Sequence, residues 1–222
     1  MKIVILAGGK GTRLSEYTES IPKPMVNIGN FPIIWHIMKI YSHYGFNDFV
    51  IALGYKSELI KDYFLKFKSL NSDFTVDLSS GNIEIHQNKS LDWKVTLVDT
   101  GLDTMTGGRL LRIKDYIDDD FCFTYGDGLT DVNITKLIDF HKQNSGSATL
   151  TSVFTPERFG LIESDSSGKI TSFREKSDNL SNRINGGYFV LSKKIFEYIE
   201  NDKTIWEKEP LSNLSTDNEL YA

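Results

Sequence analysis

Apolar positions along the chain fall into two alternating rhythms. Residues 2–6 form a short, β-branched apolar run that stops at Gly8 and Gly9, which predicts a buried strand. Pro32 suits the first turn of a helix, and Ile33, Ile34, Ile37, Met38, Tyr41 and Tyr44 follow at helical spacing until Gly45. Residues 49–53 predict a second strand. Ser57 is placed to cap a helix carrying Leu59, Ile60, Tyr63, Phe64 and Phe67 on one face. Strand, helix, strand, helix implies a parallel sheet covered by helices.

The middle of the chain reads differently. Residues 74–78 and 83–86 alternate around Ser79-Ser80-Gly81-Asn82, a hairpin pattern, and residues 94–98 predict another strand. A helix is expected over 107–116. A buried strand over 121–125 then ends at Gly126-Asp127-Gly128, followed by a helix over 134–141 and a strand over 148–154. Later strands are expected at 160–163, 170–175 and 187–191, with helices around 193–199 and 210–214. No repeat, low-complexity segment or linker interrupts the pattern. The expectation is a single α/β domain over residues 1–222. It is Rossmann-like and three-layered, with a mixed, mostly parallel sheet, helices on both faces and a small β-rich insertion.

Composition narrows the function. A net charge of −5 gives no support to a nucleic-acid partner. Cys122 is the single cysteine, so no intrachain disulfide can form, which fits a reducing compartment. No apolar run approaches the roughly 20 residues of a membrane helix, and the start of the chain does not resemble a signal peptide. A cytoplasmic protein with no membrane partner is therefore expected. The four histidines show no metal-ligand spacing; His36 reads as a helix residue and Cys122 as core.

The chemistry concentrates in Leu6-Ala7-Gly8-Gly9-Lys10-Gly11-Thr12-Arg13-Leu14. A loop after the first strand of a parallel sheet lies at the carboxyl edge, where such folds bind ligands. Three glycines permit close backbone approach, their N–H groups can hold phosphate oxygens, and Arg13 adds a forked cation. The Walker A pattern is excluded because Thr12 and Arg13 follow Gly11. The dinucleotide fingerprint fails at Leu14. On these residues alone the loop is a phosphate-binding turn. Pro22-Lys23-Pro24 stiffens the backbone around one lysine. Alone that reads as a solvated lysine, but so near the glycine loop it reads as part of the same site.

Taken together, the two segments resemble the sugar-1-phosphate nucleotidyltransferases. Those proteins carry L-x-G-G-x-G-T-R-L after a strand and P-K-P shortly afterwards. Further matches stand at Leu97-Val98-Asp99-Thr100-Gly101, Met105-Thr106-Gly107-Gly108-Arg109, Phe123-Thr124-Tyr125-Gly126-Asp127-Gly128 and Trp206-Glu207-Lys208-Glu209-Pro210. They are similar to the branch of the family that joins CTP and α-D-glucose 1-phosphate into CDP-glucose and pyrophosphate.

The resemblance implies roles by position. Leu6, Ala7, Gly8, Gly9, Lys10, Gly11, Thr12 and Arg13 would contact the nucleotide, with Lys23, Thr104, Thr106, Arg109 and Gly126. Arg13, Lys23 and Asp127 would be catalytic, Asp127 holding Mg²⁺. Glu175, Lys176 and Asn185 would take the sugar phosphate. It also implies a homo-oligomer and a product used for dideoxysugar and surface-polysaccharide synthesis. Use of another nucleoside triphosphate or another sugar phosphate is the nearest alternative. The family continues past the position of Ala222 with a G-F-W segment and a Met-Asp-Thr segment bearing a second metal aspartate. Without these, the expectation is nucleotide binding with impaired turnover.

Overall fold

The computed structural model describes residues 1–10, 20–86, 91–154, 161–174 and 183–222. Its strands are β1 (Lys2–Ala7), β2 (Asn27–Ile28), β3 (Phe31–Pro32), β4 (Asp48–Leu53), β5 (Phe74–Val76), β6 (Ile83–Ile85), β7 (Lys94–Asp99), β8 (Phe121–Tyr125), β9 (Ala148–Phe154), β10 (Leu161–Ser164), β11 (Ile170–Arg174), β12 (Arg183–Leu191) and β13 (Leu220–Tyr221). Its α-helices are α1 (Ile33–His43), α2 (Ser57–Leu70), α3 (Thr106–Arg112), α4 (Ile134–Gln143) and α5 (Glu209–Thr216).

Seven strands form the main sheet in the order β13-β9-β12-β8-β1-β4-β7. β7, β4, β1 and β8 are parallel neighbours. β12 is antiparallel to both β8 and β9, while β13 is parallel to β9. β12 therefore runs against the other six, and the carboxyl ends of β1, β4, β7 and β8 share one edge. The β5–β6 hairpin and the β10–β11 pair stay outside this sheet.

The parallel strands are continuous apolar runs because both of their faces are covered. Alternate residues face opposite ways, so Val4, Leu6, Val50 and Ala52 pack with Leu110, Trp206 and Leu214 on one side. Ile3, Ile5, Ala7, Ile51 and Leu53 pack with Ile34, Met38, Tyr41, Ile60 and Ile138 on the other. Helices α1, α2 and α4 thus cover one face, and α3 and α5 the other. Cys122 is fully buried in the second cluster, and burial pushes its thiol up to about 12.

Several boundaries differ from the sequence pattern. The helix expected over 107–116 stops at Arg112 and continues as a 3₁₀ turn at Lys114–Tyr116. Ile113 and Ile117 both still reach the core. The helix expected over 193–199 is 3₁₀ at Lys193–Tyr198; buried Phe196 and Ile199, three residues apart, suit that tighter winding. Ser57 does not cap α2. Lys56 takes the cap position in the left-handed region at φ 51°, and Ser57 is the first helical residue. β12 begins at Arg183 rather than 187, because its register shifts between Asn185 and Phe189 around Gly186 and Gly187.

One buried titratable group ties α4 to β9. His141 Nδ1 hydrogen-bonds Thr149 Oγ1 at 2.9 Å, and its Nε2 lies 3.9 Å from Asp120 Oδ2. Burial lowers its pKa, with the Asp120 charge opposing. The unfolded chain therefore takes up this proton first, near pH 6.5. Stability linked to His141 is complete above that pH and is lost as pH falls toward the folded pKa. The expected result is a Tm that declines on acidification from neutral pH, with a shallower decline in His141→Gln, both read by calorimetric scans across pH.

Candidate active site

Four parallel strands deliver Gly8, Gly54, Thr100 and Gly126 to the same edge, each one residue past a strand end. This is the edge where open α/β sheets bind ligands. Three of these strand ends are gathered by one cation. Arg109, only 4% exposed, reaches up from α3. Its Nη1 donates to Leu53 O at 3.0 Å, Thr100 Oγ1 at 2.7 Å and Gly101 O at 2.7 Å. Its Nη2 donates to Gly8 O at 3.0 Å and Leu102 O at 3.3 Å. Burial pulls its pKa down while the Asp99 charge opposes that.

The glycines make room for this side chain. A Cβ on Gly8 would lie 2.3 Å from Arg109 Nη1, and one on Gly54 would lie 2.5 Å from the same atom. At Gly8 the space a side chain would take is filled by the Arg109 guanidinium. Arg109 itself, expected as a nucleotide contact, sits beneath the loop with its Nη groups on protein oxygens. Gly9 has open space at its Cβ position, and its residue is exposed. Lys10 Nζ pairs with Asp103 Oδ1 at 3.0 Å, and that hydrogen bond and charge hold the Asp103 carboxyl below the usual range. Leu6 and Ala7 bury their side chains on opposite faces of the sheet.

Across β1, the end of β8 carries the second group. Gly126 N donates to Leu6 O at 2.8 Å. A Cβ there would meet Leu6 O at 2.7 Å and Pro24 Cγ at 2.9 Å. Buried Pro24 therefore rests on Gly126, in the 3₁₀ turn Lys23–Met25 that opens after Pro22. Two prolines and a glycine fix where Lys23 stands. Its Nζ meets Asp127 Oδ2 at 2.5 Å, with the side chains 27% and 38% exposed. Both charges thus stay open to solvent at the strand edge.

The third wall is residues 202–207 against α3. Met105 N donates to Asp202 O, and Gly107 N and Gly108 N both donate to Thr204 O. Thr106 Oγ1 accepts from Trp206 N at 2.9 Å and donates to Glu207 Oε2 at 2.7 Å. Tyr125 OH donates to Glu207 Oε1 at 2.5 Å. Thr104 is buried, its Oγ1 3.0 Å from where a Gly101 Cβ would stand, and Gly101 has φ 84°. Asn185 Oδ1 accepts from Gly187 N at 2.8 Å. Gly11, Thr12, Arg13, Glu175 and Lys176 lie outside the described residues.

Gly107 and Gly108 serve packing. A Cβ on Gly108 would lie 2.4 Å from Asp202 O, a main-chain atom that cannot swing aside. Gly108→Ala should cost roughly 2–3 kcal/mol, lowering Tm by about 5–10 °C in a thermal unfolding scan. Sequence reasoning gave no role to Glu207 or Tyr125, although both lie in the motifs it marked. It also missed the Arg109–Gly8 contact, which joins residues far apart in the chain.

A parallel-sheet edge carrying Gly8, a proline-framed lysine and a strand-end aspartate brings the sequence motifs to one place. Residues 2–215 match the nucleotidyl transferase family, and the chain belongs to that family. It is 50% identical to the glucose-1-phosphate cytidylyltransferase of Salmonella typhi, over 100% of this chain and 87% of that protein. It is 48% identical to the probable glucose-1-phosphate cytidylyltransferase of Bacillus subtilis (strain 168), over 99% of this chain and 86% of the relative. Among solved structures, HddC from Yersinia pseudotuberculosis is similar with a TM-score of 0.66 and 27% identity, covering 94% of this chain and 84% of that one.

Proposed function

We propose that this chain transfers CMP from CTP to α-D-glucose 1-phosphate, giving CDP-glucose and pyrophosphate. The observation that carries this reading is the identity of 48–50% along nearly the whole chain to glucose-1-phosphate cytidylyltransferases. Identity to a uridylyltransferase of Synechocystis is 28% and to a yeast mannose-1-phosphate guanyltransferase 30%.

The chemistry asks little of acid–base groups. A phosphate oxygen of glucose 1-phosphate attacks the α-phosphorus of CTP in line. The bond from that phosphorus to the β-phosphate oxygen breaks, and pyrophosphate leaves with the electron pair. The nucleophile is already anionic, so the protein supplies alignment and positive charge. Lys23, held at the strand edge by Pro22, Pro24 and Gly126, gives a fixed cation there. Arg13 and Lys176 are proposed to add two more.

Asp127 would hold Mg²⁺. Among the described residues no group of three or more acidic, histidine or cysteine side chains could make a closed metal cage. A single half-exposed carboxylate at a strand end fits an ion that takes one or two carboxylates and fills its shell with phosphate and water. When bound, Mg²⁺ neutralises phosphate charge. In this reading residues 6–13, Lys23, Thr104, Thr106, Arg109 and Gly126 form the nucleotide side. Arg109 acts there through the loop carbonyls it holds. Glu175, Lys176 and Asn185 form the sugar-phosphate side. A homo-oligomer working in the cytoplasm, with its product going to dideoxysugar synthesis, completes the proposal; no helix among the described residues is long and apolar enough to cross a membrane.

Nucleotide choice tests the proposal. Pyrophosphate release is measured with glucose 1-phosphate and either CTP, UTP or dTTP. The expected kcat/KM for CTP exceeds the others by about tenfold or more, a difference of about 1.4 kcal/mol. Equal or greater use of UTP or dTTP would assign the chain to another member of the family. CTP binding by calorimetry with no product would make it a binding module.

A further inference from the structure

The Glu207 carboxylate stands at a junction. One oxygen, Oε2, accepts from the Thr106 hydroxyl at 2.7 Å. The other, Oε1, accepts from the Tyr125 hydroxyl at 2.5 Å. The Thr106 hydroxyl has a second partner. Thr106 Oγ1 accepts from Trp206 N at 2.9 Å, which fixes its rotamer and aims its proton at Glu207. The Tyr125 ring faces Gly187 on β12. Asn185 spends its Oδ1 on Gly187 N, in the stretch where β12 shifts register and Gly187 takes φ 80°. The Tyr125 ring lies 3.1 Å from where a Gly187 Cβ would stand, so the ring rests against this glycine.

The chain of contacts runs Thr106, Glu207, Tyr125, Gly187, Asn185. It starts at the first residue of α3 and ends on β12, and Tyr125 closes β8 two residues before Asp127. Its ends belong to the two halves of the proposed site, nucleotide at Thr106 and sugar phosphate at Asn185. Both Glu207 and Asn185 are exposed, so the network opens to solvent at the ligand edge. Two charge-accepting oxygens on one rigid carboxylate set the distance between the halves. Charge-assisted hydrogen bonds of this kind are short and geometrically strict.

We infer that Glu207 is a positioning residue that holds the nucleotide and sugar-phosphate halves of the site in one register, acting through Thr106 on one side and through Tyr125 and Asn185 on the other. The inference rests on the proposed transfer reaction. It assigns Tyr125→Phe and Glu207→Gln different kinetic signatures. Phe at 125 keeps the ring against Gly187 and removes the hydroxyl's bond to Glu207, leaving the Thr106–Glu207 bond in place. Gln at 207 keeps the shape but offers one acceptor where two donors arrive.

The experiment measures KM for each substrate at saturating levels of the other, with Tm recorded for every variant. Tyr125→Phe should raise KM for glucose 1-phosphate about fivefold, the loss of roughly one hydrogen bond, and leave KM for CTP within about twofold. Thr106→Val should show the reverse. Glu207→Gln should raise both. The Tyr125→Phe, Glu207→Gln double variant should raise the sugar-phosphate KM no further than Glu207→Gln alone, because both act on one path. Variants that lower Tm while leaving both KM values unmoved would overturn the inference. So would a Tyr125→Phe that moves both equally. Wild-type protein that makes no CDP-glucose overturns the underlying reaction, a failure distinct from these because it appears before any substitution.

Discussion

Asp127→Asn should lower CDP-glucose formation by about a thousandfold, while the folded protein keeps its Tm within about 2 °C. Asn has the same shape, so the fit of Gly126 under Pro24 and against Leu6 is undisturbed. What goes is the negative charge. Its ion pair with Lys23 is a third exposed on each side, and water screens such pairs until they contribute a kilocalorie per mole or less. The loss is therefore chemical: the proposed anchor for Mg²⁺ disappears, and Lys23 is no longer held by its partner. Lys23→Ala should fall by about a hundredfold, in the range seen when one charge-stabilising donor is removed. Steady-state pyrophosphate release over a range of Mg²⁺ concentrations checks both. Near-normal turnover in Asp127→Asn would remove Asp127 from the catalytic centre.

Arg109→Met should destabilise the fold by about 2–3 kcal/mol, the range for losing hydrogen bonds made by a buried charged group. The arginine serves carbonyls of Leu53, Gly8, Gly101 and Leu102 and the hydroxyl of Thr100. Met fills much of the volume but donates nothing, so Gly101 O and Leu102 O lose this donor, while Gly8 O keeps Tyr55 N and Leu53 O keeps the Thr100 N–H and hydroxyl. Arg109→Lys recovers only part, since one ammonium cannot span both sides of the fork. Gly8→Ala should give a comparable loss from the other side of the contact, because its Cβ would fall 2.3 Å from Nη1. Urea unfolding measures all three. A full-stability Arg109→Met that has lost CTP affinity would instead make Arg109 a direct ligand contact.

How much of this is legible in the sequence depends on the range of the interaction. β1, β4 and β8 can be read because strands covered on both faces need unbroken apolar runs, and Gly8, Gly54 and Gly126 stop them. α1 can be read from its apolar spacing. β12 can be read only from 187 onward, because Asn185-Gly186-Gly187 interrupts its alternation where the strand changes register. The windings at Lys114–Tyr116 and Lys193–Tyr198 carry helical patterns but are 3₁₀, a choice made by packing.

The site divides in the same way. Pro22-Lys23-Pro24 and Gly126-Asp127 stand out locally, since their backbone restraints are written in their own residues. Their meeting at 2.5 Å is a consequence of β1 and β8 being neighbours, which no local pattern states. Gly8 shows the limit best. Its glycine is visible, but the reason for it is a guanidinium from α3. Glu207 sits in a marked motif, yet its partners Thr106 and Tyr125 come from two other elements.

The most direct measurement is a phosphorus NMR time course of the purified chain with CTP, α-D-glucose 1-phosphate and Mg²⁺. Signals of CTP and the sugar phosphate should decline together as CDP-glucose and pyrophosphate rise in equal amounts, and omission of Mg²⁺ should stop the change. Persistence of both substrates, or conversion of CTP to CDP and inorganic phosphate with the sugar phosphate untouched, would contradict cytidylyl transfer at this site.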